Sequence, residues 1–433
     1  MSEGVRSGSL TSVTRKHSAP KEVAEGGPGP AGNGHEVLLQ AFNWENSVSK
    51  EGYLPRDLEN LNSHYGSEAE LRTCIRALQE HKLHVVADIV INHRCANTQG
   101  ETGKWNRFAG RYAWDHSAVC KDNVEFEGTG APKQGEDFAA APNIDHTNEV
   151  VRRDLKAWLQ HLKSDVRFQG WRFDFVKGYP GGYVKEYIEA TQPHFAVGEF
   201  WDTCEYDKAG ELLADQDPHR QRTIDWIDAT GGKSAAFDFT TKAVLQEAIA
   251  KGEYWRLRDR DGKPPGLIGW WPSRSVTFLD NHDTGSTQNH WPFPQHGLHE
   301  GHAYILTHPG TPCLFYDHLW TDGMAQLSLW RRVKHLMSKR PRHNGNSFRL
   351  LRPLRLYVMK LIQIRQRHGI GAGSDVCIRE AKDTVYAATV DDKIAIKIGP
   401  GAWNPNTAKV DVGQKAWLMA LSGFHFAVWE AKF

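Results

Sequence analysis

The stretch GWRFDFVKG, residues 170–178, combines the pattern of a buried strand with two charged side chains. Side chains alternate along a strand, so the aromatic residues face one way while Arg172 and Asp174 face the other. Burying an unpaired charge is costly, so this pair indicates a strand whose polar face opens into a wet cleft. In such a cleft Arg172 would favour the ionised form of Asp174.

Strands and helices alternate on both sides of this stretch. The predicted strands are 36–44, 84–92, 168–176, 194–201, 234–240, 273–281 and 310–318. The predicted helices are 67–82, 148–162, 181–191 and 357–370, the first beginning with a capping box of Ser67 and Glu70. Near-continuous apolar strands that alternate with helices are typical of parallel βα units, and this many units predict a (β/α) barrel.

Three parts of the chain depart from this pattern. Residues 94–147 are long, Gly-rich and weakly periodic, which predicts an inserted lobe. Period-two runs on either side of Asp391–Asp392 predict a hairpin in a small antiparallel sheet. The first residues are rich in Ser, Gly and Pro, which indicates a disordered tail, with a plastid transit peptide as the alternative. The predicted domains are a tail at 1–34, a barrel at 35–93 and 148–372, a lobe at 94–147, and a β-sheet domain at 373–433.

Composition limits the classes of partner. The net charge is +1, so no overall field attracts nucleic acid, and no apolar run approaches the length of a membrane span. Sixteen tryptophans favour a ligand with flat apolar faces. The six scattered cysteines are typical of reduced thiols. We therefore predict no nucleic-acid or membrane partner, a monomer, and a cytoplasmic location with the plastid as the alternative.

Polar residues cluster at the predicted strand ends, where active sites of barrels lie. VGEFWD brings Glu199 beside aromatic residues, which would raise its pKa as a general acid requires. FLDNHDTGS brings His282 and Asp283, and DIVINHR brings Asn92 and His93. One acid at a strand end can be a helix N-cap, but four such coincidences are not expected by chance. Two carboxylates on adjacent strands, one ionised and one protonatable, indicate glycoside hydrolysis.

At these positions the sequence resembles the α-amylase family, and closely its plant intracellular members. The matching stretches include DIVINHR, GWRFDFVKG, VGEFWD and FLDNHDTGSTQ, in the order of the family. The likeness covers most of 36–323 and resumes from about 357. The resemblance implies a retaining endo-hydrolase of α-1,4-glucosidic bonds in starch and related glucans.

The resemblance also implies roles for single residues. Asp174 would be the nucleophile, Glu199 the acid/base and Asp283 the stabiliser of the transition state. The residues that would bind or position the substrate are Tyr53, His93, Arg172, Lys177, His282, Trp270 and Trp271. Core packing is the competing interpretation for the two tryptophans.

Calcium is implied as a cofactor between the barrel and the lobe. Its ligands would be Asn92, the backbone of Gly178 and Asn143, with Asp137 at a second site. Asn143 falls where an aspartate can occur in the family. Lys133 falls where some members carry a ligand aspartate, and an ammonium cannot bind a cation that requires oxygen ligands.

Two departures from the family alter the expected fold. Only five residues separate FNWE (42–45) from EGYLP (51–55), which is too few for a helix and a parallel strand. We therefore predict a (β/α)8-type barrel that lacks its first helix and second strand and leaves two strand edges unpaired, with an inserted lobe after the third strand and a C-terminal antiparallel β domain. A skipped exon or a faulty gene model is the preferred explanation, and a tolerated open barrel is the alternative.

The second departure is a basic insertion at 324–356. Residues 331–355 hold nine Lys or Arg and no acid. Retained intron sequence or a disordered loop is the preferred explanation, and binding of nucleic acid is the alternative. Two further alternatives for function stay open at this point: a catalytically impaired glucan-binding protein and a transglycosylase on the same scaffold.

Overall fold

The computed structural model describes residues 35–39, 52–285, 288–319, 352–408 and 416–432 of the 433-residue chain. The predicted tail 1–34, the junction at 46–50 and most of the basic insertion lie outside the described residues. The described part consists of a parallel sheet with its helices, the lobe at 94–147, and a C-terminal antiparallel sheet.

Seven strands form the parallel sheet. They are His35–Leu39, Leu83–Ile89, Gly170–Phe173, Phe195–Gly198, Ala235–Phe237, Ser275–Thr277 and Thr311–Pro312. Each strand pairs with the next one along the chain, as in a (β/α) barrel. Every residue of the central strands Gly170–Phe173 and Phe195–Gly198 is buried, because helices and loops cover the sheet on both faces.

The first pair of strands corrects one expectation. His35–Leu39 pairs in parallel with Leu83–Ile89, with Val37 opposite Val85, so the two edges that we expected to stay unpaired meet each other. The connection 40–82 contains the helix Glu68–Glu80 and exceeds the dozen or so residues that a parallel crossover needs. Seven strands therefore follow one another where the family has eight. Among the strand pairings of the described ranges, none joins Thr311–Pro312 back to His35–Leu39.

The helices lie between the strands. The longer ones are Glu68–Glu80, Glu149–His161, Gly181–Thr191, Asp217–Ala229, Phe239–Lys251, Leu298–Thr307 and Arg352–His368, and the short ones are Leu267–Trp270 and Tyr316–Leu319. The capping box of Ser67 and Glu70 is confirmed, since each side chain accepts a hydrogen bond from the backbone of the other. No helix in the described ranges is both long and apolar enough to cross a membrane.

Several predicted strands are shorter than expected. The run 234–240 ends at Phe237 because Asp238 accepts a hydrogen bond from the backbone of Thr241 and so starts the helix Phe239–Lys251. The run 310–318 ends in the helix Tyr316–Leu319. The helix expected from residue 357 begins at Arg352, so its first turn lies inside the predicted basic insertion.

The lobe is held together mainly by loop contacts. Its regular structure includes the hairpin of Thr98–Gln99 with Trp105–Arg107. The buried guanidinium of Arg94 lies against the rings of Phe108 and Trp114 and donates to backbone carbonyls, which fixes the base of the lobe on the barrel.

The C-terminal sheet has five antiparallel strands. They are Val376–Lys382, Val385–Val390, Ile394–Ile398, Ala416–Gly423 and Phe426–Lys432. The predicted hairpin is confirmed, and Asp391 and Asp392 both have the positive φ values, 51° and 52°, that a tight hairpin turn requires. The sheet packs through apolar side chains against the helices Leu298–Thr307 and Arg352–His368.

A buried acid lies where the barrel meets this sheet. Glu300 is 1% exposed, accepts a hydrogen bond of 2.5 Å from the Tyr254 hydroxyl, and lies 3.3 Å from Nδ1 of His425. Burial raises the pKa of Glu300 to about 7, although the Tyr254 and Gly399 hydrogen bonds and the charge of Lys397 oppose that rise.

We expect Glu300 to make stability depend on pH. Its pKa is raised in the folded state, so its contribution is fully present below about pH 4.5 and is lost as the pH rises through about 7. Glu300→Gln should remove roughly 2–3 kcal/mol of this pH dependence of the free energy of unfolding. Urea unfolding at pH 5 and pH 7.5 measures it, and an equally steep dependence in the variant would contradict the assignment.

Candidate active site

Arg172 lies at the centre of a cluster of three carboxylates. The side chain is 2% exposed, and its Nη1 atom lies 2.7 Å from Oδ1 of Asp88 and 2.5 Å from Oδ1 of Asp174. Its Nη2 atom lies 2.6 Å from Oε1 of Glu199. Three neighbouring strands thus each bring a carboxylate to one guanidinium, because Asp88 is the register partner of Arg172 and Glu199 follows the next strand.

The backbone holds two of these carboxylates in place. The Asp174 N–H donates to the carbonyl of Ile89 at 2.9 Å, and the Glu199 N–H donates to the carbonyl of Phe173 at 3.0 Å. These bonds continue the parallel ladder beyond the ends of the strands. Phe175 then takes a positive φ of 45°, which turns the chain away from the sheet directly after Asp174.

Burial raises the pKa of two of the acids. It raises the pKa of Glu199 to about 8, and the charges of Asp174, Asp283 and Asp88 add to the rise while Arg172 opposes it. The pKa of Asp174 is also raised, because burial outweighs the opposing charge and hydrogen bond of Arg172. Arg172 favours the ionised Asp174 as expected, but it does not set the net direction.

Asp283 behaves in the opposite way. Burial alone would raise its pKa, but a hydrogen bond and the charge of His282 and the charge of Arg172 bring it below the ordinary value. Nε2 of His282 lies 3.1 Å from one carboxylate oxygen, and Nε2 of Gln288 donates to the other at 2.6 Å. Asp283 therefore stays ionised at neutral pH, and its charge raises the pKa of both Asp174 and Glu199.

Three predicted substrate-binding residues surround the cluster. The Tyr53 hydroxyl donates to Oδ2 of Asp88 at 2.7 Å, and its ring stacks on His282 with centroids 5.0 Å apart. His93 Nε2 donates to the Tyr53 carbonyl at 2.7 Å, and burial lowers the pKa of His93 to about 4, so the imidazole is neutral. The ring of His93 stacks on Phe138 of the lobe.

The remaining predicted residues have partners farther out. Lys177 lies 3.0 Å from Glu136 of the lobe and 2.9 Å from Asp202, so it links the lobe to the loop after Glu199. The Arg220 guanidinium lies 3.6 Å from the ring centre of Trp270, and Trp271 packs against the core. Both tryptophans are half-buried, and their role as a starch-binding platform stays a prediction.

Comparison with known proteins adds an independent observation. Residues 44–196 match the family described as "Alpha amylase, catalytic domain", and residues 367–430 match "Alpha-amylase C-terminal beta-sheet domain". A protein named Probable alpha-amylase 2, from Arabidopsis thaliana, is 46% identical over 430 residues, which covers 92% of this chain and 94% of that protein. The chain belongs to the α-amylase family.

Other matches agree with this membership. Alpha-amylase 3, chloroplastic, from the same plant is 42% identical over 431 residues, which covers 92% of this chain and 44% of that protein, so the chain spans less than half of this longer relative. A solved α-amylase structure from Malbranchea cinnamomea aligns with a TM-score of 0.62 at 15% identity, over 92% of this chain and 85% of that one. This last likeness concerns the fold and confirms the predicted barrel with a C-terminal β domain.

Calcium is typical of the family, and three of the side chains predicted to bind it are neighbours in the structure. Asn92, Asn143 and Asp137 do lie together, with Asn92 Nδ2 3.3 Å from Oδ1 of Asn143 and Asn143 Nδ2 2.8 Å from Oδ1 of Asp137. Asn92 also lies against Gly178, where an added Cβ would come within 1.9 Å of its Oδ1.

The chemistry of these donors fits calcium poorly. Asp137 is the one carboxylate among the predicted ligands, and the Lys133 ammonium lies 2.7 Å from its Oδ1. Calcium sites gain affinity from the number of charged oxygen ligands, and this set is neutral once Lys133 is counted. Within the described ranges, no group of three or more His, Cys, Asp or Glu side chains is placed to hold a metal. The calcium prediction is therefore not confirmed.

The sequence reasoning missed Asp88 and Gln288. Asp88 lies inside the apolar run 84–92. It is a charged residue within a predicted buried strand, which is the same pattern that indicated a role for Arg172. Gln288 gave no such signal, because it lies well beyond the strand Ser275–Thr277 in the sequence. It reaches Asp283 through a turn in which the backbone N–H of Gln288 donates to the carbonyl of His282.

Proposed function

We propose that this protein is an α-amylase that hydrolyses internal α-1,4-glucosidic bonds of starch and related glucans with retention of configuration. The observation that carries the proposal is the single guanidinium of Arg172 shared by Asp174 and Glu199, beside the ionised Asp283. Because the first two carboxylates contact one guanidinium they are close neighbours, which favours the roughly 5–5.5 Å separation of retaining enzymes over the wider spacing of inverting ones.

Glu199 and Asp283 take their roles from their protonation states, and Asp174 takes its role from its contact with Arg172, which favours the carboxylate form that a nucleophile needs. Glu199, with a pKa near 8, is protonated at neutral pH and gives its proton to the glycosidic oxygen. Asp174 attacks the anomeric carbon and forms a glycosyl ester, and the leaving chain departs with the proton of Glu199. Arg172 stabilises the Glu199 carboxylate that remains, which then accepts a proton from the water that hydrolyses the ester.

The ionised Asp283 has a different task. Positive charge develops on the sugar ring in the transition state, and a fixed carboxylate beside it lowers the barrier electrostatically. His282, held against Asp283 and stacked on Tyr53, and His93, held by the Tyr53 carbonyl, are placed to line the subsite of the sugar that is cleaved.

Maltoheptaose provides the direct test of the reaction class. Hydrolysis by the full-length protein should release only products shorter than the substrate, with new reducing ends. Products longer than maltoheptaose would indicate a transglycosylase instead, and binding without any released sugar would indicate the impaired glucan-binding protein.

Glu199 should produce the alkaline limb of the pH profile. We expect kcat/KM on maltoheptaose to fall as the pH rises through about 8, because the acid must be protonated to act. Glu199→Gln should lower kcat on starch by about 10²–10⁴-fold, but it should slow the first step on maltosyl fluoride much less, because fluoride departs without a proton. Glu189→Gln, an exposed change on the helix Gly181–Thr191, is the matched control. A Glu199→Gln enzyme equally slow on both substrates would argue against the acid role.

The proposal extends to the compartment and the partners. The plastid alternative agrees with the name of the relative Alpha-amylase 3, chloroplastic, whereas the cytoplasmic location and the monomeric state stay predictions. Starch and related α-glucans are the proposed partners.

A further inference from the structure

A chain of polar contacts that begins at Lys133 joins the lobe to the barrel. The Lys133 ammonium, on a side chain 18% exposed, lies 2.7 Å from Oδ1 of Asp137. Asn143 Nδ2 donates to the same oxygen at 2.8 Å, and Asn92 Nδ2 donates to Oδ1 of Asn143 at 3.3 Å. The contacts thus run from the lobe to Asn92, in the segment just beyond the strand Leu83–Ile89.

The position of Lys133 is fixed by the lobe itself. Its backbone N–H donates to Oδ1 of Asp122 at 2.8 Å, and the preceding segment is bonded to a neighbouring one through Gly130 N–H and the carbonyl of Val119. The ammonium therefore extends from an anchored backbone and is directed at Asp137.

The loop between Lys133 and Asp137 sits directly on the loop that follows the catalytic strand. The Glu136 N–H donates to the carbonyl of Lys177 at 2.9 Å. A Cβ at Gly135 would come within 2.3 Å of that same carbonyl, so glycine is required for this close approach. The Lys133–Asp137 pair thus closes a loop that touches Lys177 and Gly178, three to four residues beyond Asp174.

We propose that the Lys133 ammonium is the cation of this interface, beside residues that the resemblance assigns to calcium, so that the lobe stays docked without a metal ion. The ammonium neutralises Asp137, and the amide N–H of Asn143, rather than its oxygen, faces the same carboxylate. A divalent ion placed there would have to displace the Lys133 ammonium from Asp137, which is the one carboxylate among the predicted ligands.

The contacts continue into the active site. Asn92 Nδ2 also lies 3.3 Å from Nδ1 of His93, whose Nε2 donates to the carbonyl of Tyr53. Lys133 therefore supports, through Asp137, Asn143 and Asn92, the orientation of a ring beside the carboxylate cluster. It is a positioning residue, and its loss should affect docking of the lobe as well as turnover.

Thermal unfolding of the full-length protein in EDTA and in millimolar CaCl2 tests the proposal. The wild-type Tm should be the same in both solutions. Lys133→Met should lower Tm by about 1–2 °C in both, as expected for the loss of a partly exposed pair in a chain of 433 residues. Lys121→Met, an exposed change in the same lobe, is the matched control and should leave Tm within about 0.5 °C. A saturable rise of the wild-type Tm with calcium, or a Lys133→Met variant that matches Lys121→Met, would overturn the proposal.

A double substitution tests whether calcium can bind once the ammonium is removed and carboxylates are added. Lys133→Asp combined with Asn143→Asp replaces the ammonium by carboxylates, so Tm should fall in EDTA and recover as calcium is added, with saturable binding in a calorimetric titration. A folded double variant that binds no calcium would show that Lys133 does not occupy a cation position. If the double variant does not fold, the comparison of wild type with Lys133→Met still decides.

Discussion

Asp174→Asn is expected to abolish the release of reducing sugar from starch while the protein stays folded. The amide cannot attack the anomeric carbon, so kcat should fall by roughly 10⁴-fold or more, the scale seen when other covalent enzymes lose their nucleophile. The fold should survive because Arg172 keeps its contacts with Asp88 and Glu199. One guanidinium faces three buried carboxylates, so losing one negative charge should leave Tm unchanged or higher.

A reducing-sugar assay on soluble starch, together with the thermal transition, measures both effects. Asp165→Asn is a suitable control, since that carboxylate pairs with Arg72 on the surface, far from the strand ends that carry the cluster. A variant that keeps activity would remove Asp174 from the nucleophile's role. A variant that unfolds would show that its carboxylate is structural.

Arg172→Leu should have the largest effect on stability. In the part of the chain that the structure describes, no other Lys or Arg is bonded to Asp88, Asp174 or Glu199. Removing the cation from a buried ion cluster typically costs about 3–5 kcal/mol, a large share of the 5–15 kcal/mol by which a domain is stable. Urea unfolding at pH 7 measures the loss, and activity should vanish with it.

The pH dependence identifies the cause of that loss. Without Arg172 the three carboxyl pKa values should rise further, so the stability that is lost at pH 7 should return in part as the pH falls towards 5. Arg222→Leu is the matched control, because its half-exposed pairs with Asp202 and Glu205 should contribute at most about 1 kcal/mol. Arg172→Lys provides a second, milder variant if Arg172→Leu does not fold. An Arg172 variant no less stable than Arg222→Leu would contradict the central role of the guanidinium.

The sequence predicted those features that depend on local pattern. The amphipathic run with its Ser67 capping box became the helix Glu68–Glu80, and the strand ends did bring Asp174 and Glu199 to one side of the sheet. Both predictions rest on the two periodicities of side chains, 3.6 in helices and 2 in strands, which short stretches of sequence reveal.

Features that depend on distant partners were not predictable in the same way. The end of the strand at Phe237 is set by Asp238, which accepts from Thr241 in the next helix but also from Leu267, Ile268 and Ser275. The net pKa shift of Asp174 depends on how deeply the folded chain buries it, and pattern alone indicated only its attraction to Arg172. The resemblance to the family supplied the roles of the acids, which periodicity could not.

The direct pairing of His35–Leu39 with Leu83–Ile89 has a consequence for how such proteins can change. The carboxylate cluster is assembled from contacts between immediate neighbours, the strands that carry Asp88, Asp174 and Glu199, and none of these contacts spans the shortened junction. Because each strand pairs only with its neighbours, this repeating architecture can lose one strand–helix unit, and the strands on either side then pair directly. Loss of a whole strand–helix unit outside these three strands therefore leaves the carboxylate cluster intact, whereas a one-residue slip between two of the three strands would separate its members.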